Sequence, residues 1–238
     1  ASIVIGGVTV WENGALTAAP VVSTHEGVLT VTGFDAATGK LEYSYKLNQA
    51  TQEHEAPGKD SIAHNLTVTV TDTDGDTASS LITVVIQDDV PVVTGGSFTL
   101  GGISETAKDA SSTSVADRFT VDAGADGEES RAYSLSLGDN ADGVDCGLNA
   151  LVQGASMDIH LFRQADGSIV GRAGAGENAV DVFSVSIDQS GNVSVQMTGK
   201  ATIDHSAFKG GDASLEGIKA VLDVTDRDGD HSTGTLDL

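Results

Sequence analysis

The sequence predicts an all-β protein made of two tandem β-sandwich domains. Apolar and polar residues alternate over short stretches such as Leu66-Thr67-Val68-Thr69-Val70-Thr71 and Ala220-Val221-Leu222-Asp223-Val224-Thr225. That period of two, with β-branched side chains, belongs to half-buried strands. Turn-forming clusters separate the stretches at regular spacing, among them Asp166-Gly167 and Asp188-Gln189-Ser190-Gly191. One acidic turn occurs twice at matching places, as Asp72-Thr73-Asp74-Gly75-Asp76 and Asp226-Arg227-Asp228-Gly229-Asp230. A motif repeated after the same kind of strand suggests two domains closed in the same way.

Taken in order, the first half holds candidate strands at Ser2–Val10, Val28–Thr32, Leu41–Leu47, Asn65–Thr71 and Ser80–Ile86. The second half holds them at Arg118–Val121, Ala132–Leu137, Asp158–Arg163, Ile169–Arg172, Val180–Ile187, Val193–Thr198 and Ile218–Thr225. Helical periodicity is weak, with short helical turns expected at most around Asp204–Lys209 or Ala213–Gly217. Many short strands with regular turns point to sandwiches of the immunoglobulin-like type. The boundary is expected in Gln87-Asp88-Asp89-Val90-Pro91-Val92, because proline cannot donate within a central strand. The domains are therefore placed at 1–92 and 93–238.

The chain has 238 residues, with 35 Asp and Glu against 12 Lys and Arg, for a formal net charge of −23. Such an excess of acid argues against a nucleic-acid partner, which needs a basic face, and against polybasic attachment to an anionic membrane. No apolar run approaches the ~20 residues of a membrane-spanning helix. The single cysteine, Cys146, rules out an internal disulfide and reads as a small buried thiol. The chain starts in mid-pattern and reads as a piece of something longer, acting as a monomer.

Three carboxylates at alternate positions across one tight turn repel one another. A hard divalent cation relieves that repulsion, and Ca²⁺ is the usual one. The candidate metal ligands are Asp72, Asp74 and Asp76, and Asp226, Asp228 and Asp230. Ca²⁺ takes six to eight oxygens, so further ligands must come from elsewhere. Asp88 and Asp89 in the linker, and Glu105 beyond it, are the candidates, by analogy with other tandem domains whose linkers are stiffened by Ca²⁺. Asp139, Asp142 and Asp145 form another acidic loop around Gly143, read either as a ligand-binding loop or as an ordinary solvated one. The stretch Gly138–Ser156 is the one loop long enough to suggest a receptor insertion.

Signals of catalysis are thin, and the expectation is a protein that is not an enzyme. There is no Gly-x-Ser-x-Gly elbow, no His-Glu-x-x-His pair and no phosphate-binding Gly-x-x-x-x-Gly-Lys loop. The six histidines never fall at a zinc-binding spacing. At 4% of the chain, the aromatics are too few for a broad sugar-stacking platform.

Several stretches also carry a family resemblance. They are Gly27-Val28-Leu29-Thr30-Val31-Thr32-Gly33-Phe34-Asp35-Ala36-Ala37-Thr38-Gly39, Leu41-Glu42-Tyr43-Ser44-Tyr45, Val68 to Ala78 around the first acidic turn, and Asp88-Asp89-Val90-Pro91. In that order they resemble the bacterial immunoglobulin-like repeats of giant type I-secreted RTX adhesins. The second half is similar to another repeat type of those proteins, through Ala132-Tyr133-Ser134-Leu135-Ser136-Leu137, Ile203-Asp204-His205 and the closing acidic turn. The resemblance implies a secreted segment of a stalk on the bacterial surface, stiffened by Ca²⁺ and serving cell adhesion and biofilm formation. Its partners would be neighbouring repeats of the same chain. The alternative is a Ca²⁺-dependent module that binds a glycan or peptide.

Overall fold

The computed structural model describes residues 1–49, 58–96, 98, 111–208 and 215–238. The fold is all-β and antiparallel, with no α-helix among the described residues. The chain separates into two compact units. One is Ala1–Val90 with Arg227–Asp230; the other is Pro91–Asp226 with His231–Leu238. No helix among the described residues is long and apolar enough to cross a membrane.

The first unit holds β1 (Ser2–Ile5), β2 (Val8–Glu12), β3 (Ala15–Leu16), β4 (Val21–Ser23), β5 (Gly27–Asp35), β6 (Lys40–Leu47), β7 (Ser61–Thr71) and β8 (Thr77–Gln87). They form one sheet in the order β3-β2-β1-β7-β8 and a second in the order β4-β5-β6. Ile3, Ile5 and Val10 from the first sheet pack with Val22, Leu29 and Val31 from the second, making a small sandwich core. The expected single strand over Ser2–Val10 is two strands. Gly6 and Gly7 both take positive φ, +53° and +86°, which turns the chain back as a tight hairpin with Ile5 opposite Val8. Apolar residues on both sides of that turn hid it from the period-two reading.

The second unit holds β9 (Val92–Gly95), β10 (Ser111–Ser114), β11 (Phe119–Asp122), β12 (Glu128–Ser136), β13 (Val144–Val152), β14 (Ala155–Arg163), β15 (Ile169–Ala173), β16 (Val180–Ile187), β17 (Asn192–Met197), β18 (Thr202–Ile203), β19 (Lys219–Asp226) and β20 (His231–Asp237). Seven of them form a sheet in the order β10-β17-β16-β15-β14-β13-β18. A three-stranded sheet β12-β19-β20 and a pair β11-β9 complete the unit. Ala220, Leu222 and Val224 of β19 alternate inward and pack with Ile159, Leu161, Ile169 and Val185 of the large sheet. The buried Cys146 thiol lies in the same core, where burial pushes its pKa up to about 11.

One expectation is corrected here. Gly138–Ser156 is not a long receptor loop, because β13 runs through it and pairs with β14. Cys146, Leu148, Ala150 and Val152 are buried on alternate positions, while Asp145, Gly147 and Leu151 between them are exposed. Glycine, asparagine and aspartate, poor strand formers by propensity, masked that alternation. The short helical turn foreseen near Asp204 is a 3-10 helix over His205–Phe208.

Candidate metal centre

The first acidic turn joins β7 to β8, and the second joins β19 to β20. Both are bent at a glycine with φ of +100°, Gly75 and Gly229, a conformation that side chains strongly disfavour. In each turn the three aspartates can bring one carboxylate oxygen apiece to within 4.8 Å of the other two. Alternate positions across the bend thus aim at one point, the arrangement a hard cation requires.

The two turns differ in what surrounds the acids. Asp72, Asp74 and Asp76 are all exposed. Asp72 Oδ1 accepts the backbone N–H groups of Asp76 at 2.9 Å, Gly75 at 3.0 Å and Asp74 at 3.2 Å. A side-chain hydrogen bond with Asp74 holds the Asp72 carboxyl below the ordinary range. Desolvation opposes this, and the turn amides add to the lowering. One oxygen of this set therefore already serves the turn itself, as aspartate commonly does.

In the second turn Asp226 and Asp230 are buried, 1% and 5% exposed, and Asp228 is partly buried. Both carboxylate oxygens of Asp228 are shielded from solvent and accept no hydrogen bond among the described residues. Buried carboxylate oxygens without donors are costly. A bound cation removes that cost, so the second turn fits a metal better than the first.

The remaining candidates fall in different places. Asp88 is buried and Asp89 partly buried; each offers an oxygen within 4.8 Å of the other. The Asp88 N–H donates to Asp60 O at 3.1 Å, extending the β7–β8 ladder into the linker. Glu105 lies outside the described residues. Asp139, Asp142 and Asp145 do not form a convergent set among the described residues. Asp142 Oδ1 is held by the Arg163 guanidinium at 3.0 Å, and Asp145 Oδ1 accepts the Gly147 N–H at 2.9 Å.

Sequence reasoning missed three buried acids among the described residues, Asp126, Glu26 and Asp204. Asp126 is buried in the turn between β11 and β12; its Asp126-Gly127 pair signals a turn, but nothing in the sequence signals burial. Glu26 is buried between β4 and β5, with Oε1 at 3.3 Å from His25 Nδ1 and Oε2 at 3.1 Å from His64 Nδ1. Burial alone raises its pKa, yet backbone hydrogen bonding and the two imidazoles outweigh it and hold the group below its ordinary value.

Fold and turns together define an all-β protein of two sandwich units, with two acidic hairpin turns that are each able to gather carboxylates. A family model described as a domain of unknown function, DUF5801, matches residues 102–238, and the chain belongs to that family. No curated protein and no solved structure matches the chain.

Proposed function

We propose that this chain is a non-enzymatic segment of a large secreted bacterial surface adhesin, an immunoglobulin-like extender stiffened by Ca²⁺ at its acidic turns. The observation that carries the reading is Asp228, whose two buried oxygens lack donors among the described residues within a convergent set completed by Asp226 and Asp230. Oxygen-only donors on a turn suit Ca²⁺, which accepts flexible carboxylate geometry, better than nitrogen- or sulfur-seeking metals. A net charge of −23 adds to the case, since cations binding at clustered acids offset self-repulsion. In such a segment the protein's part is to present the carboxylates; the ion's part is to neutralise them and restrain the backbone that carries them. Asp88 and Asp89 would stiffen the linker by the same means.

The adhesin context rests on the resemblance of the first half to type I-secreted surface repeats and supports a role in cell adhesion and biofilm formation. Small-angle scattering tests the mechanical part. Wild type should lose maximum dimension when Ca²⁺ is chelated, and Asp88→Ala with Asp89→Ala should be shorter than wild type even in Ca²⁺. Identical profiles under all these conditions would exclude a metal-stiffened extender.

A further inference from the structure

We propose that the free edge of β8 is a homophilic docking strand, pairing antiparallel with β8 of a second copy of this chain. β8 is the outermost strand of its sheet among the described residues, and its pairing with β7 runs through eleven residue pairs without a register shift. Its sequence, Thr77-Ala78-Ser79-Ser80-Leu81-Ile82-Thr83-Val84-Val85-Ile86-Gln87, contains no charge, no proline and no bulge. Those are the devices that normally protect an edge from pairing.

The ladder shows which backbone groups are on offer. Asp72 N–H donates to Asp76 O at one end, and Asp88 N–H donates to Asp60 O at the other. Hydrogen-bonded pairs alternate along an antiparallel ladder, so the even-numbered residues of β8 bond to β7. The odd-numbered residues, from Thr77 to Gln87, therefore direct N–H and C=O to the open edge. The same odd positions carry the most exposed apolar side chains of the strand, Leu81 at 59% and Val85 at 62%. Their neighbours on β7, Thr67 and Ala63, are uncharged as well.

A second copy is the occupant that this pattern selects. With Thr83 opposite Thr83 on a two-fold axis, Leu81 of each copy faces Val85 of the other, and Ser79 faces Gln87. All five odd residues from 79 to 87 then meet as hydrogen-bonded pairs, and a Thr–Thr pair sits at the centre. A partner chosen by charge would find nothing to grip on this strand. Two copies that each carry a net charge of −23 meet here without a charge inside the overlap. Only at its ends do acids come near each other, where Asp76 of one copy lies diagonal to Asp88 of the other on the same face, so association should strengthen as salt screens them.

Cysteine crosslinking with sedimentation tests the register. In the full chain, Thr83→Cys should form a disulfide-linked dimer under mild oxidation, because an opposed hydrogen-bonded pair has Cα atoms about 5.5 Å apart, within disulfide reach. Ser79→Cys should not, since its two copies would lie eight residues apart along the ladder. Wild type should sediment as a concentration-dependent monomer–dimer mixture, richer in dimer at higher salt. Val85→Lys should weaken association by roughly tenfold, because the change acts twice across the axis. Wild type that stays monomeric at every concentration and salt, or Ser79→Cys crosslinking as readily as Thr83→Cys, would overturn the proposal.

Discussion

Gly75 and Gly229 share a backbone φ of +100° at the same place in two hairpin turns of like sequence, yet the acids beside them meet different surroundings. Beside Gly75 the carboxylates are exposed and one of them holds the turn's own amides. Beside Gly229 two are buried and Asp228 is partly buried, and the oxygens of Asp228 accept no hydrogen bond among the described residues. Equal backbone geometry thus produces unequal electrostatic demand. The second turn should bind Ca²⁺ more tightly than the first.

From that inequality follows a prediction for Asp72. Asp72→Ala removes the acceptor of three turn amides and should lower the melting temperature of the first unit in Ca²⁺ and in chelator alike. Differential scanning calorimetry of both conditions checks it. A loss confined to the Ca²⁺ sample would instead make Asp72 chiefly a metal ligand.

Glu26 and His64 join the two sheets of the first unit through the β4–β5 turn and β7. Because the folded pKa of Glu26 is lowered, its contribution to stability is present above the ordinary carboxylate value. That contribution is lost as pH falls through the lowered folded value. His64→Ala should leave the buried carboxylate poorly compensated, destabilise the first unit and move its acid loss to higher pH. A pH series of thermal melts reads both effects; an unchanged acid limb would remove His64 from the account.

Asp204 follows the same sign in the second unit. Hydrogen bonds from Ser156 and Ser206 hold its carboxyl below the ordinary range, so its contribution persists above that range and fades below it. Asp204→Asn should flatten the acid limb of the second unit's stability while lowering the plateau at neutral pH. Parallel curves for wild type and variant would contradict it.

Leu222 is fully buried on β19, among the residues that join the small and large sheets of the second unit. Leu222→Ala should cost roughly 2–5 kcal/mol, the usual range for a leucine truncated in a well-packed core. Chemical denaturation measures it. A cost near zero would mean that the core can collapse around the missing atoms.

Much of the fold was legible in the sequence because period-two alternation is a strong local signal. β19, β16 and β14 all lie close to where that alternation places them. The Gly6-Gly7 hairpin was missed because the turn interrupts an apolar stretch without changing its composition. β13 was missed because its outward positions are filled by poor strand formers, although its inward ones alternate cleanly. At the candidate site, the convergence of each acidic turn could be read from spacing and glycine placement. The difference between the two turns could not, since burial at a hairpin tip depends on residues distant in sequence. Glu26 was invisible for the same reason, because its partner His64 lies on another strand.

Calcium titration of matched variants tests the central claim most directly. Isothermal calorimetry, paired with melting curves, should be run on wild type, Asp228→Asn and Asp74→Asn. Wild type should bind Ca²⁺ and gain roughly 2.7 kcal/mol at a hundredfold excess over Kd. Asp228→Asn should lose the tightest binding event and most of that gain, while Asp74→Asn retains both. Equal melting of wild type in Ca²⁺ and in chelator, with no heat of binding, would contradict the account.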